Sequence, residues 1–239
     1  MKKIINSVAM ATYNGEKYIK EQIDSILDNM SDNDELVISD DGSTDKTIQI
    51  IKNFQKKDER IKLFDGPRKG VKQNFMNAIM NTNGKYVFLS DQDDYWEKDK
   101  IKKIDKIFEE NICNVIVHNA YIADEKLNVY KKTFFEFRNS GTGKIRNIYK
   151  NSYIGCCMAF KKELIDKIVP IPDNIEMHDQ WIGMLGEKYG KNIFISECLI
   201  KYRRHGNNVT KMYHNPIPIM IKNRFNLIKE LIKESRRNK

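Results

Sequence analysis

The chain has 239 residues, 40% of them hydrophobic, with only 12 glycines and 5 prolines, which argues against a disordered or collagen-like polymer and suits one α/β domain, or one domain with an appendage. Its formal net charge of +9 suits nucleic acid, anionic lipid or acidic small molecules without choosing among them. No apolar run approaches the ~20 residues of a membrane span, and the opening run Met1-Lys2-Lys3-Ile4-Ile5-Asn6-Ser7-Val8 is too short and too polar for a signal peptide, so a cytoplasmic location is expected.

The first half alternates strand and helix. Ile4–Ala11 is strand-like, and Ile19, Ile23, Ile26, Leu27 and Met30 follow at helical spacing. Glu35–Ser39 is a second strand, and Ile48, Ile51 and Phe54 mark a second helix. Ile61–Phe64 is a third strand, and Val71, Phe75, Ala78 and Ile79 a third helix. Tyr86–Leu89 is a fourth strand, Ile101, Ile104 and Phe108 lie on a charged helix, and Val115–His118 is a further strand. This order implies a mostly parallel central sheet with helices on both faces and right-handed crossovers.

The second half is less regular. Residues 124–153 carry Lys131, Lys132, Arg138, Lys144 and Arg146 around Phe134, Phe135 and Phe137. They read as an excursion over the sheet's rim or as a loop packed by its own aromatics. The run Cys156–Phe160 regains order, and Leu164, Ile165 and Ile168 suggest a short helix ended by Pro170 and Pro172. A helix opens at His178-Asp179, and Ile193–Ile200 reads as a hairpin or strand pair. Ile221, Phe225, Ile228 and Ile232 share one face of a C-terminal basic amphipathic helix, which suits either an anionic membrane surface or docking on the body. None of the four cysteines forms a C-x-x-C pair, so a zinc site is not expected, and Cys156 and Cys157 read as core residues.

Polar clusters recur at strand ends: Thr12-Tyr13-Asn14-Gly15-Glu16, then Asp40-Asp41-Gly42-Ser43, then Asp91-Gln92-Asp93-Asp94. Ligands of open α/β sheets bind outside the carboxyl ends of strands, so the clusters point to one crevice. Tyr13 offers an aromatic face, Asp40 and Asp41 offer acceptors, and Ser43 is expected to cap the second helix. The acids of 91–94 repel one another and call for a cation. Mg²⁺ takes one or two carboxylates plus substrate phosphates, whereas the plain alternative is an acidic helix start. Asp179 is either a group favoured by the helix dipole or a general base. Arg203, Arg204 and His205 beside Gly206, Asn207 and Asn208 suit phosphate oxygens. Neither G-x-G-x-x-G nor a P-loop follows the first strand.

In this order and spacing the motifs resemble glycosyltransferase family 2 across roughly residues 4–210. The resemblance implies a GT-A fold and an inverting transferase using a nucleotide-sugar donor, with residues 1–210 as the transferase domain and 211–239 as a basic helical tail. It implies that Tyr13 stacks on the base, that Asp41 accepts its N–H, and that Thr12, Asn14, Glu16, Asp91 and Gln92 also hold the donor. Asp91 and Asp93 would hold Mn²⁺ or Mg²⁺, Arg203 and His205 would clamp the diphosphate, and Asp179 would be the catalytic base. His178 stands where many members have Glu. The Ser-Asp-Gln-Asp-Asp form resembles bacterial surface-polysaccharide rhamnosyltransferases, so dTDP-rhamnose is a candidate donor and a glycan or lipid-linked hydroxyl the acceptor, with peripheral contact to an anionic membrane. Nucleic acid is not expected as a partner. A non-catalytic basic protein binding lipid or nucleic acid would explain the charge but not acids gathered at strand ends.

Overall fold

A computed structural model describes residues 3–130, 133–206, 208 and 216–237. The expectations for Met1, Lys2, Lys131, Lys132, Asn207, 209–215 and 238–239 lie outside them. The strands are β1 (Asn6–Thr12), β2 (Asp34–Asp40), β3 (Ile61–Asp65), β4 (Tyr86–Ser90), β5 (Tyr95–Trp96), β6 (Val115–Ala123), β7 (Met158–Lys161) and β8 (Asn192–Arg203). The helices are α1 (Ile19–Leu27), α2 (Thr47–Gln55), α3 (Val71–Met80), α4 (Lys100–Glu110), α5 (Phe134–Arg138), α6 (Lys144–Tyr149), α7 (Ile165–Ile168), α8 (His178–Tyr189) and α9 (Ile217–Arg237). Among the described residues one sheet runs in the order β3-β2-β1-β4-β7-β6-β8-β5.

The first half folds as its periodicity implies. Every residue of β1, β2 and β4 is buried, as expected of parallel strands covered on both faces. β2 and β3 wind outward on one side of β1, and β4 pairs with β1 on its other side, all parallel. Right-handed crossovers therefore put α1 and α2 on one face and α3 on the other. The chain reverses its winding between β1 and β4, and this switch point is where such sheets bind ligands.

The other half of the sheet departs from the expected pattern. β7 is antiparallel to both β4 and β6, so the sheet is mixed at its centre. The stretch expected to be a hairpin is the single strand β8, parallel to β6 with register shifts around Asn119. Its polar middle, Ser196 and Glu197, is a bulged and exposed part of the strand, not a turn. β5 was not anticipated. It has two residues and exists through antiparallel pairing with β8. Ser43 does not cap α2; Asp45 does the local work, its Oδ1 accepting from the Thr47 N–H at 2.9 Å. The 124–153 segment packs by its aromatics, with Phe134 buried and the Phe135 ring 5.8 Å from that of Phe194. Cys113, Cys156 and Cys157 are free and buried, as expected of core residues.

Candidate active site

The register aligns the strand ends, with Thr12 opposite Asp40 and Met10 opposite Ser90. The loop after β1 and the loop after β2 are laced together. Asn14 donates its N–H to Ser43 Oγ and accepts from the Thr44 N–H, both at 2.8 Å. Glu16 accepts from the Lys46 N–H at 2.9 Å. Asp40 is buried and spent internally: it accepts from the Gly42 and Ser43 N–H groups and from the Thr12 and Ser43 hydroxyls. Asp41 instead faces the opening. It accepts from the N–H groups of Arg68 at 2.6 Å and Gly70 at 2.7 Å, fixing the loop before α3. A carboxylate has about four acceptor sites, so Asp41 keeps capacity for a further donor.

Gln92 joins the loop after β4 to that after β1. Its Oε1 accepts from the Tyr13 N–H at 2.9 Å and its Nε2 donates to the Tyr13 carbonyl at 3.0 Å. A Cβ at Gly15 would come within 2.3 Å of Gln92 Oε1, so a larger residue there would push the Gln92 amide off Tyr13. This amide pair leaves the Tyr13 ring outside, 55% exposed, as a free aromatic face.

Acidic charge concentrates beneath. Burial, with Asp94, Asp93 and Asp179 nearby, holds the Asp91 carboxyl well above its ordinary range. Asp94 is fully buried and is likewise raised by burial and by Asp93, with Lys100 partly offsetting. Lys100 is itself buried, its Nζ donating to the Cys156 carbonyl at 3.1 Å and lying 3.7 Å from the Trp96 ring centre. Asp93 Oδ2 lies 2.7 Å from His205 Nε2, and the His205 ring stacks on Tyr18 at 4.7 Å.

Among the described residues, Asp91, Asp94 and Cys156 offer ligand atoms within 4.8 Å of one another. A thiol that burial keeps protonated does not suit Mg²⁺ or Mn²⁺. Asp91 and Asp93 border the opening with oxygen ligands and fit such an ion better, while His205 stands beside Asp93 as a neighbour.

α8 supplies the opposite wall. Asp179 is 8% exposed in its first turn, and burial pushes it up to about 6. His178 stacks on Phe75 at 4.1 Å, and burial lowers it to about 3, so its ring is neutral. Both of its ring nitrogens are buried without a hydrogen-bond partner among the described residues. A Cβ at Gly155 would sit 2.9 Å from His178 Nε2, so glycine makes room for this ring.

These groups line one cavity of about 920 Å³. Thr12, Tyr13, Asn14, Asp41, Asp91, Gln92, Asp93, Asp179 and His205 all border it. Glu16 and Arg203 do not. Glu16 is occupied in the loop lacing. Arg203 is 3% exposed, its Nε donating to the Asp93 carbonyl at 2.7 Å, its Nη1 to the Glu125 carbonyl at 2.6 Å and its Nη2 to Glu21. Its guanidinium is thus engaged by the protein and stands outside the cavity lining. The sequence reading missed Asn74, Arg68, Tyr18 and Glu125, which also border the cavity. Asn74 carried a signal, a polar residue among the apolar positions of α3. It donates to the carbonyls of Thr12 at 3.1 Å and Ser39 at 2.9 Å.

A family model described as glycosyl transferase family 2 matches residues 7–169. The chain belongs to glycosyl transferase family 2. This glycosyltransferase is 33% identical over 214 residues to the dTDP-rhamnosyl transferase RfbG of Shigella flexneri, covering 83% of this chain and 72% of that protein. It is 27% identical over 223 residues to TuaG of Bacillus subtilis, a glycosyltransferase named for teichuronic acid biosynthesis, covering 87% of this chain and 82% of that one. Its GT-A architecture matches residues 1–349 of S. aureus TarS, solved with UDP-GlcNAc, at a TM-score of 0.72 and 21% identity, covering 97% of this chain and 66% of that chain.

Proposed function

We propose that the cavity transfers a sugar, with inversion, from a nucleotide-diphosphate donor to a hydroxyl of a glycan or lipid-linked acceptor in bacterial polysaccharide synthesis. The donor is a UDP- or dTDP-sugar, with dTDP-rhamnose as one candidate that the similarity to RfbG supports. The observation that carries the proposal is that Asp41, Asp93 and Asp179, far apart in the chain, border one cavity at the sheet's switch point. Residues 1–210 would act as the transferase domain and 211–239 as its tail, on the cytoplasmic side of a membrane.

Each residue has a part. The exposed Tyr13 ring would stack on the base while Asp41 accepts its N–H, with Thr12, Asn14 and Gln92 fixing the loop that carries Tyr13. Asp91 and Asp93 would hold Mn²⁺ or Mg²⁺, with His205, beside Asp93, against the diphosphate. That ion, when bound, supplies positive charge for the leaving diphosphate. Asp179 accepts the proton of the acceptor hydroxyl as that oxygen attacks the anomeric carbon, and its raised pKa suits it to take a proton near neutral pH. A neutral His178, with nitrogens to satisfy, would hydrogen-bond a sugar hydroxyl beside the reacting carbon.

The test is a thermal-shift and hydrolysis screen of UDP-, dTDP- and GDP-sugars with Mn²⁺. One donor class is expected to raise the melting temperature and to be slowly hydrolysed. Asp179→Asn is expected to cut turnover by ~10²–10⁴-fold, the usual worth of a positioned base, while nucleotide binding persists. No shift with any donor, or an Asp179→Asn variant turning over like the wild type, would refute it.

A further inference from the structure

A surface helix ordinarily turns its apolar stripe toward the core. α9 does the reverse. It meets the body through Leu227 and the half-buried Leu231 and through two buried carboxylates, Glu230 and Glu234, which are the only acids in the helix. Glu230 accepts from Asn174 Nδ2 at 3.0 Å, and Glu234 is held by Lys188 and Tyr189. Arg224 donates from Nε and Nη2 to the Tyr149 carbonyl at 3.0 and 2.6 Å. The docking face is therefore a polar clasp.

The apolar stripe points away from it. At 3.6 residues per turn, Ile217, Ile221, Phe225, Ile228 and Ile232 fall within a sector of roughly 80°. All five are exposed, Phe225 by 66%. α6 extends the patch: Ile145 is 85% and Tyr149 73% exposed, and the Arg224 guanidinium, 4.8 Å from the Tyr149 ring, links the two helices. Single exposed isoleucines are ordinary, but a continuous stripe marks an interaction surface. Lys222, Lys229 and Arg236 run along one flank of the stripe, all exposed, with Lys233 among them paired to Glu230 at 2.6 Å.

We propose that this face of α9, with Ile145 and Tyr149, lies on an anionic lipid membrane. Charge complementarity selects the occupant. Both acids of the helix are turned inward, so the outward side offers cations beside hydrocarbon, the pattern of helices that lie in the interface of anionic bilayers. An antiparallel second copy of the same stripe would set like-charged rows against each other, and nucleic acid has no use for five exposed apolar side chains. The inference deepens the proposed membrane-side placement and is independent of the transfer reaction.

Co-sedimentation of the full chain with phosphatidylcholine vesicles, with and without phosphatidylglycerol, tests it. The expected result is at least ~10-fold more binding to the anionic vesicles, weakening with added salt. The Ile221→Ser/Phe225→Ser/Ile228→Ser variant is expected to lose that binding ~10-fold or more with an unchanged melting temperature. Lys222→Gln/Lys229→Gln/Arg236→Gln is expected to bring anionic binding down to the neutral level. Wild-type protein left in the supernatant with anionic vesicles, or a serine variant that binds as well as the wild type, overturns the proposal. So does a wild-type dimer in light scattering that the serine variant dissolves, which would assign the stripe to a second copy. Nucleotide affinity measured on the same samples reports separately on the donor site.

Discussion

Asp179 and His178 are adjacent, and burial moves both toward neutrality, but the proposed mechanism gives them different work. Burial raises Asp179 from an ordinary 3.8 to about 6. As the proposed base, Asp179 must be charged, so kcat/KM is expected to fall as pH drops through about 6, and the Asp179→Asn variant should lose that limb of the profile. The same shift has a sign for stability. A raised carboxyl pKa favours the protonated fold, so the wild type is relatively stabilised below the unfolded value and loses that advantage as pH rises through about 6. Asp179→Asn is therefore expected to melt higher than the wild type at pH 8, with the gap closing toward pH 4. Equal melting temperatures at both pH values would contradict the buried placement. For His178, whose nitrogens are buried and unpaired among the described residues, His178→Phe removes two unsatisfied groups and should not lower the melting temperature. Turnover should still fall by about 10-fold, the worth of one hydrogen bond. A fall in both would mean that the ring serves packing alone.

At the scale of elements, legibility followed period and length. α1 to α4 and β1 to β4 were readable because apolar residues recur at helical or strand spacing and each run is long enough to bury a face. β5 was not, since two residues carry no period and its existence depends on a strand a hundred residues later. β8 was misread because polar residues at a bulge mimic a turn. The direction of β7 is invisible in sequence, as an apolar run does not say which neighbour it pairs with. The loop residues at the strand ends were legible as a set but not in their division of labour. Asp40 and Asp41 are adjacent, and only the fold turns one inward and the other toward the cavity. Arg203 looked like a phosphate ligand because cations beside Gly and Asn usually are. In the fold it ties the end of β8 to the loop after β4. Arg203→Met is accordingly expected to destabilise the protein by about 2–4 kcal/mol, since it strands partners of a buried charged group. Chemical denaturation would measure this, and a loss of nucleotide affinity without a loss of stability would restore the clamp role.

Over the whole molecule, a sheet that reverses direction at its centre gathers acids from three strand ends and from the start of α8 around one cavity, while α9 presents a basic, apolar face elsewhere. In the proposed reading, the first is a donor side and the second a membrane side. The central claim is that the gathered acids receive a nucleotide diphosphate with the help of a divalent ion. Calorimetric titration of UDP and dTDP into wild type, Asp93→Ala and Asp179→Asn, each with and without Mn²⁺, tests it most directly. Wild type and Asp179→Asn should bind one of the two nucleotides in a Mn²⁺-dependent way, and Asp93→Ala should lose that dependence with at least a ~10-fold drop in affinity. Nucleotide affinity that ignores Mn²⁺ and is the same in Asp93→Ala as in the wild type would contradict the account.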